Sequence, residues 1–250
     1  MSEIILNERN AAVEALENRS LGRSPAKTLM RVAKYYHADG YKQSEIRPLL
    51  EQFMLRCNPE IRLGRWDEVL EYCSKNAGKR PLVEIESVGI TEAELETIGA
   101  VDGGMAQRVL FTLLCLAKLG NAASPKNNNW VNREHREIFS LANSEHLDQK
   151  RRCDMLRGMW HAGLIDFSKI VDNTNIRVMI INNDSPVVLN VDDFRNIGNQ
   201  YRMYRGEKYI RCECCGLVVK KTNNVKKYCK RCCDAEQKKR QRQWYEDSKS

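Results

Sequence analysis

The sequence lacks a long apolar run and has no segment typical of membrane insertion or export. Its most apolar stretch, 109–119, is interrupted by Lys118 and is shorter than the roughly 20 residues that a membrane-spanning helix needs. The first ten residues have neither the basic start nor the long apolar core of a secretory signal. These absences predict a cytoplasmic protein without a membrane partner.

Histidine is scarce, and the motifs of common enzyme families are missing. The four histidines are scattered along the chain, at His37, His135, His146 and His161. A Gly-rich phosphate loop with its lysine, a His-Glu-x-x-His motif and a nucleophile elbow are all absent from the sequence. A zinc-stabilised nuclease with a catalytic histidine pair is the sharpest enzyme alternative, but no histidine follows position 161. The sequence therefore predicts a protein that is not an enzyme.

Cysteine, in contrast, is abundant, and its distribution suggests two roles. Without a secretory signal, the ten cysteines are expected to stay reduced, so that each one either lies in the core or binds metal. Cys57, Cys73, Cys115 and Cys153 lie in apolar or helical contexts. These four are predicted to be small core residues rather than ligands.

The other six cysteines include two Cys-x-x-Cys pairs near the C-terminus. Two such pairs, each on a tight turn, can close a tetrahedral all-thiolate site around one Zn²⁺. Gly216 follows the first pair and tolerates the positive φ that a sharp turn requires. Four thiolates leave no open position for water or substrate, so the zinc is predicted to be structural. The predicted ligands are Cys212, Cys215, Cys229 and Cys232, and the spacing leaves open that Cys214 or Cys233 replaces a neighbour.

The surplus of positive charge is confined to the C-terminal part of the chain. Residues 208–250 contain thirteen Lys and Arg against five Asp and Glu, whereas residues 1–207 contain 28 of each kind. Four thiolates on one Zn²⁺ would lower this surplus by about two charges. A basic patch of this size favours polyanions, although a solvated tail has the same composition. The predicted sequence-independent phosphate contacts are Lys220, Lys221, Lys226, Lys227, Lys230 and Arg231.

The middle of the chain has the element order of a winged helix-turn-helix domain. Apolar periodicity and capping residues predict helices over 105–119, 133–142 and 145–161. Two β-rich runs follow, at 176–181 and 187–191. In such a domain the third helix enters the major groove, and the hairpin formed by the two strands is the wing.

The third predicted helix has an apolar arc and a basic arc when plotted at about 100° per residue. The basic arc carries Lys150, Arg151 and Arg157, which are suited to phosphates or guanine edges. An ordinary amphipathic surface helix would show the same pattern. Arg177 is the candidate backbone contact in the wing. These residues predict nucleic-acid binding, with DNA favoured over RNA.

The first hundred residues are predicted to form a run of short helices, in which the sequence shows no motif for catalysis or ligand binding. The predicted fold is therefore mainly α with a small β component, in three domains. They are a helical N-terminal region over 1–100, a winged-helix-like domain over 101–198, and a four-cysteine zinc ribbon with a basic tail over 199–250.

Several segments together carry a resemblance that covers most of the chain. They are 111–118 (FTLLCLAK), 129–132 (NWVN), 163–165 (GLI) and the two terminal Cys-x-x-Cys pairs. In these segments the chain resembles uncharacterised proteins of phages and mobile elements in Gram-positive bacteria. The resemblance implies a winged helix with a zinc ribbon inside a bacterial host cell, and it implies no reaction.

The hypothesis from sequence is a zinc-containing DNA-binding protein that acts in transcription regulation or replication of a phage or mobile element. The alternative is an adaptor that binds a host complex such as RNA polymerase or a defence system. Winged helices often pair, so a homodimer is compatible with either hypothesis.

Overall fold

A computed structural model describes residues 4–170 and 173–247 of the chain. Helix accounts for 54% of the structure and strand for 10%, which confirms the predicted mainly α class with a small β component. The chain divides into two compact units, 1–86 and 87–250. Within the described residues, no helix combines the length and the apolar character needed to cross a membrane.

The first unit is a group of helices around its own apolar core. The α-helices described within 4–86 are α1 (Glu8–Glu17), α2 (Pro25–Ala38), α3 (Gln43–Cys57) and α4 (Asp67–Asn76), with a 3₁₀ turn at Leu63–Trp66. The Asn7 side chain caps α1 by accepting a hydrogen bond from the Asn10 N–H at 2.9 Å. Buried Leu29, Ile46 and Phe53 are among the core residues. The unit agrees with the run of helices predicted for this part of the chain.

The second unit is built around one long apolar helix. In chain order its described α-helices and strands are β1 (Val88–Thr91), α5 (Glu92–Gly99), α6 (Gly104–Ala123), β2 (Trp130–Val131), α7 (His135–Leu141), α8 (Gln149–His161), β3 (Ile165–Phe167), β4 (Ile176–Val178), β5 (Val187–Val191), α9 (Ile197–Tyr204), β6 (Tyr209–Arg211), β7 (Val218–Lys220) and α10 (Lys230–Asp247), with a 3₁₀ turn at Pro125–Asn127. Every residue of α6 from Arg108 to Ala117 is buried, because α5, α7, α9 and strands of two sheets pack around it.

The strands form small antiparallel sheets, and one predicted hairpin is wrong. β4 is the central strand of the order β2-β4-β3, whereas β5 pairs with β1, with Val88 opposite Val191. Residues 176–181 and 187–191 are all described, and they do not pair with each other. The apolar residues of these two segments can pack equally well when the segments pair with other strands. The strand that pairs with β5 is β1, about a hundred residues earlier in the chain.

The division into units also differs from the predicted domain boundary at 100. The structure divides the chain after Glu86, because β1 and α5 belong with the second unit. β1 pairs with β5, and α5 carries Glu94, which is bonded to Lys118 of α6. Residues 199–250 likewise belong to the second unit, since α9 packs against α6.

Glu94 and Lys118 form a buried ion pair whose acidic partner is fully inaccessible to solvent. The Lys118 Nζ donates to both carboxylate oxygens at 2.9 Å. The backbone N–H groups of Thr91 and Asn182 donate to the same carboxylate at 2.8 and 3.0 Å. These contacts join α5, α6 and the segment before β5 at one point.

α9 lies unusually close to the end of α7. A Cβ on Gly198 would stand 2.3 Å from the Ala142 carbonyl oxygen, so a larger residue at this position requires the helices to shift. Next to it, the Asn143 amide donates to the Asn199 side-chain oxygen at 2.9 Å. Asn199 in turn donates to the Val218 carbonyl at 3.1 Å, which fixes the β6–β7 hairpin on α9.

Candidate metal centre and basic surfaces

The first cysteine pair lies at the turn between β6 and β7. Gly216 has a φ of 73°, a left-handed conformation that favours glycine. Its N–H donates to the Cys212 carbonyl at 2.8 Å, and the Cys212 N–H donates to the Leu217 carbonyl at 3.0 Å. The backbone therefore closes the tight turn that brings Cys212 and Cys215 together.

The second cysteine pair is placed by the start of α10. Cys229 directly precedes this helix and Cys232 lies in its first turn. The Cys233 N–H donates to the Cys229 carbonyl at 2.9 Å, as in a regular helical turn. A spacing of three residues within a turn puts both thiols on the same side.

The four predicted ligands, Cys212, Cys215, Cys229 and Cys232, lie together as a candidate metal site. Their sulfurs all lie within 4.8 Å of one another, and the Sγ atoms of Cys215 and Cys229 are 3.8 Å apart. A tetrahedral ion with metal–sulfur bonds of about 2.3 Å requires sulfur–sulfur distances of about 3.8 Å. The arrangement thus fits one tetrahedral ion with four thiolate ligands.

The surroundings of the cluster shift the pKa values of individual thiols in different directions. Burial acts to raise the pKa of the Cys212 thiol, but backbone N–H groups of Cys229 and Cys215 that donate to its sulfur lower the pKa to about 6. Hydrogen bonding with the thiols of Cys229 and Cys215 raises the pKa of Cys232 above its usual range. The cluster can therefore hold a negative charge on one sulfur, as a metal ligand must.

The remaining cysteines differ from these four in their environment. Cys214 and Cys233 are exposed and lie outside the four-sulfur cluster. Cys73 and Cys115 are buried in the apolar cores, and burial raises the pKa of Cys73 to about 11 and that of Cys115 well above its usual value. Cys57 and Cys153 are half-buried. Neither Cys73 nor Cys115 belongs to the four-sulfur cluster, in agreement with the structural role predicted for them.

Arg195, which was not singled out from the sequence, supports the first cysteine turn. Its guanidinium forms a two-oxygen ion pair with Asp193, with contacts of 2.6 to 3.0 Å, and also donates to the Cys215 carbonyl at 2.6 Å. The hydrogen bonds to Asp193 raise the pKa of Arg195, so this side chain remains a cation. Its link to Cys215 spans twenty residues and leaves no local signal in the sequence.

Arg195→Ala is expected to weaken metal binding by about 10- to 100-fold, as is usual when an outer partner of a ligand is removed. Competition between the protein and a zinc chelator measures the change. Arg205→Ala, at an exposed arginine just after α9, is the matched control. Equal affinity in both variants would show that Arg195 does not position Cys215.

The predicted basic face of α8 is exposed. Lys150, Arg151 and Arg157 all face solvent, whereas Leu156 and Met159 on the other side are buried. The helix begins at Gln149 rather than 145, because the Asp148 side chain caps it by accepting from the Arg151 N–H at 2.8 Å. Arg151 and Arg157 also lie 3.7 and 3.4 Å from Asp148 and Asp154, respectively. Both ion pairs are exposed and therefore weak, so the two arginines can exchange partners.

Arg177 lies on a strand, as predicted, but that strand is not part of the predicted hairpin. It is half-buried on the central strand β4, and its Nη2 donates to the Asn128 side chain at 3.1 Å. In the connection between β3 and β4, the exposed Lys169 is the basic side chain among the described residues. Lys169 was not singled out from the sequence, because no strand was predicted before residue 176.

The basic residues predicted around the metal centre lie at the surface of its hairpin and helix. Lys220, Lys227, Lys230 and Arg231 are exposed, and Lys221 and Lys226 are half-buried. The Lys226 Nζ donates to the Lys220 carbonyl at 2.8 Å, and Lys227 lies 3.6 Å from Glu213. The hairpin and the helix that carry the four cysteines thus present several cations on their outer surface.

No protein-family model, curated protein or solved structure matches this chain. The features that bear on function are therefore its own: a four-cysteine cluster that could bind a metal ion and two exposed helices, α8 and α10, that carry basic residues.

Proposed function

We propose that the chain is a DNA-binding protein whose second unit combines a winged helix-turn-helix with a structural zinc module. The observation that carries this proposal is the exposed triad Lys150, Arg151 and Arg157 on α8, a helix whose opposite side is buried. A recognition helix needs one side to fix it on its own domain and a basic side to meet DNA.

The order of elements around α8 supports the same proposal. α6, β2, α7, α8, β3 and β4 follow one another, and β4 lies between β2 and β3. This is the order of helices and strands in a winged helix. The wing would then be the β3–β4 connection, with exposed Lys169, instead of the 182–186 turn expected from the sequence.

The metal ion in this proposal is one structural Zn²⁺ held by Cys212, Cys215, Cys229 and Cys232. All-thiolate coordination is typical of structural zinc and leaves no position for a substrate. When bound, the ion supplies a rigid link between the β6–β7 hairpin and α10, and the residues of the chain supply the DNA contacts. We accordingly assign no enzymatic activity.

DNA is favoured over RNA as the partner because of the groove that a helix must enter. The B-DNA major groove, about 12 Å wide, admits an α-helix, whereas the major groove of an RNA duplex is deep and narrow. We propose that the protein acts in transcription regulation or replication of a phage or mobile element, the class of protein that segments 111–118, 129–132 and 163–165 resemble.

The triple variant K150E/R151E/R157E is expected to bind duplex DNA at least about 100-fold more weakly at low salt, because three cations that can contact phosphates are replaced by three anions that the phosphates repel. Fluorescence anisotropy with a labelled duplex of random sequence measures this change. The control is K27E/K79E/R80E, which alters the charge equally at exposed positions of the first unit. If both variants lose the same amount of affinity, net charge is responsible and α8 is not the DNA-reading helix.

A further inference from the structure

α10 is an 18-residue helix without an apolar side to bury. Within residues 230–246 none of the side chains is buried, and Cys232 is the one that is half-covered. The exposed ion pair between Arg240 and Glu236, at 3.7 Å, adds only a few tenths of a kcal/mol. A polar helix of this length is marginal by itself in water. A partner surface outside the chain is the simplest source of further stability.

The metal centre fixes where this helix starts and in which direction it extends. Cys229 precedes α10 and Cys232 lies in its first turn, so an ion bound to both would hold that turn closed. Forming the first turn is the costly step of helix formation. The centre therefore acts as the nucleus and anchor of α10.

Three of the six basic residues of α10 lie on one side of the helix, and Lys230, Lys239 and Arg240 lie on other sides. At about 100° per residue, Arg231, Lys238 and Arg242 fall within roughly 40° of one another. All three are exposed, and this basic stripe runs over about 16 Å at 1.5 Å per residue. Asp234 and Glu246 flank the stripe near its two ends. The centre of the stripe, between these acids, is basic.

We propose that α10 is a second DNA-contacting helix, which lies in the major groove of duplex DNA with the stripe of Arg231, Lys238 and Arg242 against the phosphates. This inference rests on the proposed function and names a second surface for it. Charge complementarity identifies the partner as a polyanion. The width of the major groove identifies this polyanion as duplex DNA, since an α-helix fits the major groove of B-DNA and not that of an RNA duplex.

The test compares two variants of the full-length, zinc-loaded chain that change net charge equally. R231Q/K238Q/R242Q removes three positive charges from the stripe, and Q237E/Q241E/Q243E adds three negative charges on other faces of α10. Affinity for a random duplex is measured from low to physiological salt. Three lost phosphate contacts should reduce the slope of log affinity against log salt by about 2 to 3, whereas the control variant should keep the slope within about one of the original.

A charge-conserving variant and checks of folding complete the test. R231K/R242K, which retains the charges, should keep the original slope, and zinc content and far-UV circular dichroism establish that each variant is folded. Equal slopes for the stripe variant and its control would overturn the proposal, as would equal affinity for duplex RNA. If the α8 triple variant weakens binding while the stripe variant does not, the proposed function stands and the role of α10 fails. If the original chain binds no duplex at low salt, both fail.

Discussion

Cys229→Ser is expected to abolish stoichiometric zinc binding and to disorder the β6–β7 hairpin and the start of α10. A serine hydroxyl does not ionise at neutral pH and cannot replace a thiolate ligand. The hairpin has little core of its own: Cys212, Val218 and Cys229 are its buried residues among those described. Structural zinc contributes about 10–16 kcal/mol at pH 7 in small modules, which a core of this size does not replace.

Elemental analysis of zinc per chain measures the first effect, and far-UV circular dichroism reports the loss of α10. The helices around α6 should remain folded, because their core consists of other residues. The control is Cys233→Ser, at the adjacent exposed thiol, which should retain one zinc per chain. Full zinc content in Cys229→Ser, or its loss in Cys233→Ser, would show that the ligand set is different.

Lys118→Met is expected to destabilise the second unit by about 3–5 kcal/mol, the usual effect of leaving a buried charge without its partner. The Glu94 carboxylate is fully buried and accepts two hydrogen bonds from the Lys118 Nζ. Methionine fills a similar volume, so the change is electrostatic rather than a cavity effect. Urea unfolding of the full chain measures the free energy.

Two further variants separate burial from pairing. Lys75→Met removes an exposed partner of Glu71, 2.7 Å away, and should cost less than about 1 kcal/mol. Glu94→Gln combined with Lys118→Met should recover part of the lost stability, because the buried charge is removed and one side-chain oxygen remains for the Thr91 N–H, while the Asn182 N–H loses its acceptor. An effect of Lys118→Met no larger than that of Lys75→Met would contradict the importance of the buried pair.

The sequence predicted best those features that depend on neighbouring residues. The four-cysteine cluster belongs to this class, because a two-residue gap defines each turn locally, with Gly216 after the first pair. Helices such as α6 and α8 also follow from apolar periodicity. The predicted start of α8 at 145 was wrong, since the helix begins at Gln149. Its start depends on which polar residue caps the helix, and both Ser144 and Asp148 are suitable caps.

The features that could not be predicted depend on pairing across long stretches of chain. β5 could have paired with β4 or with β1, since its valines satisfy either partner, and only the folded structure shows that residues 88–91 lie beside it. Because β1 pairs with β5, the boundary between the two units lies after Glu86 and not at residue 100. The contact from Arg195 to Cys215 could not be predicted for the same reason, since it joins residues that are far apart in the sequence. The half-buried position of Arg177 likewise depends on strands that are distant in the sequence.

The most direct test of the account joins zinc analysis to a salt titration of DNA binding. We predict one zinc per chain and an affinity for random duplex DNA that falls by orders of magnitude between low and physiological salt, because phosphate contacts release counterions. Single-stranded DNA should bind more weakly, since it presents no major groove. One zinc per chain with no binding to duplex at low salt would contradict the account and would favour a protein-binding adaptor.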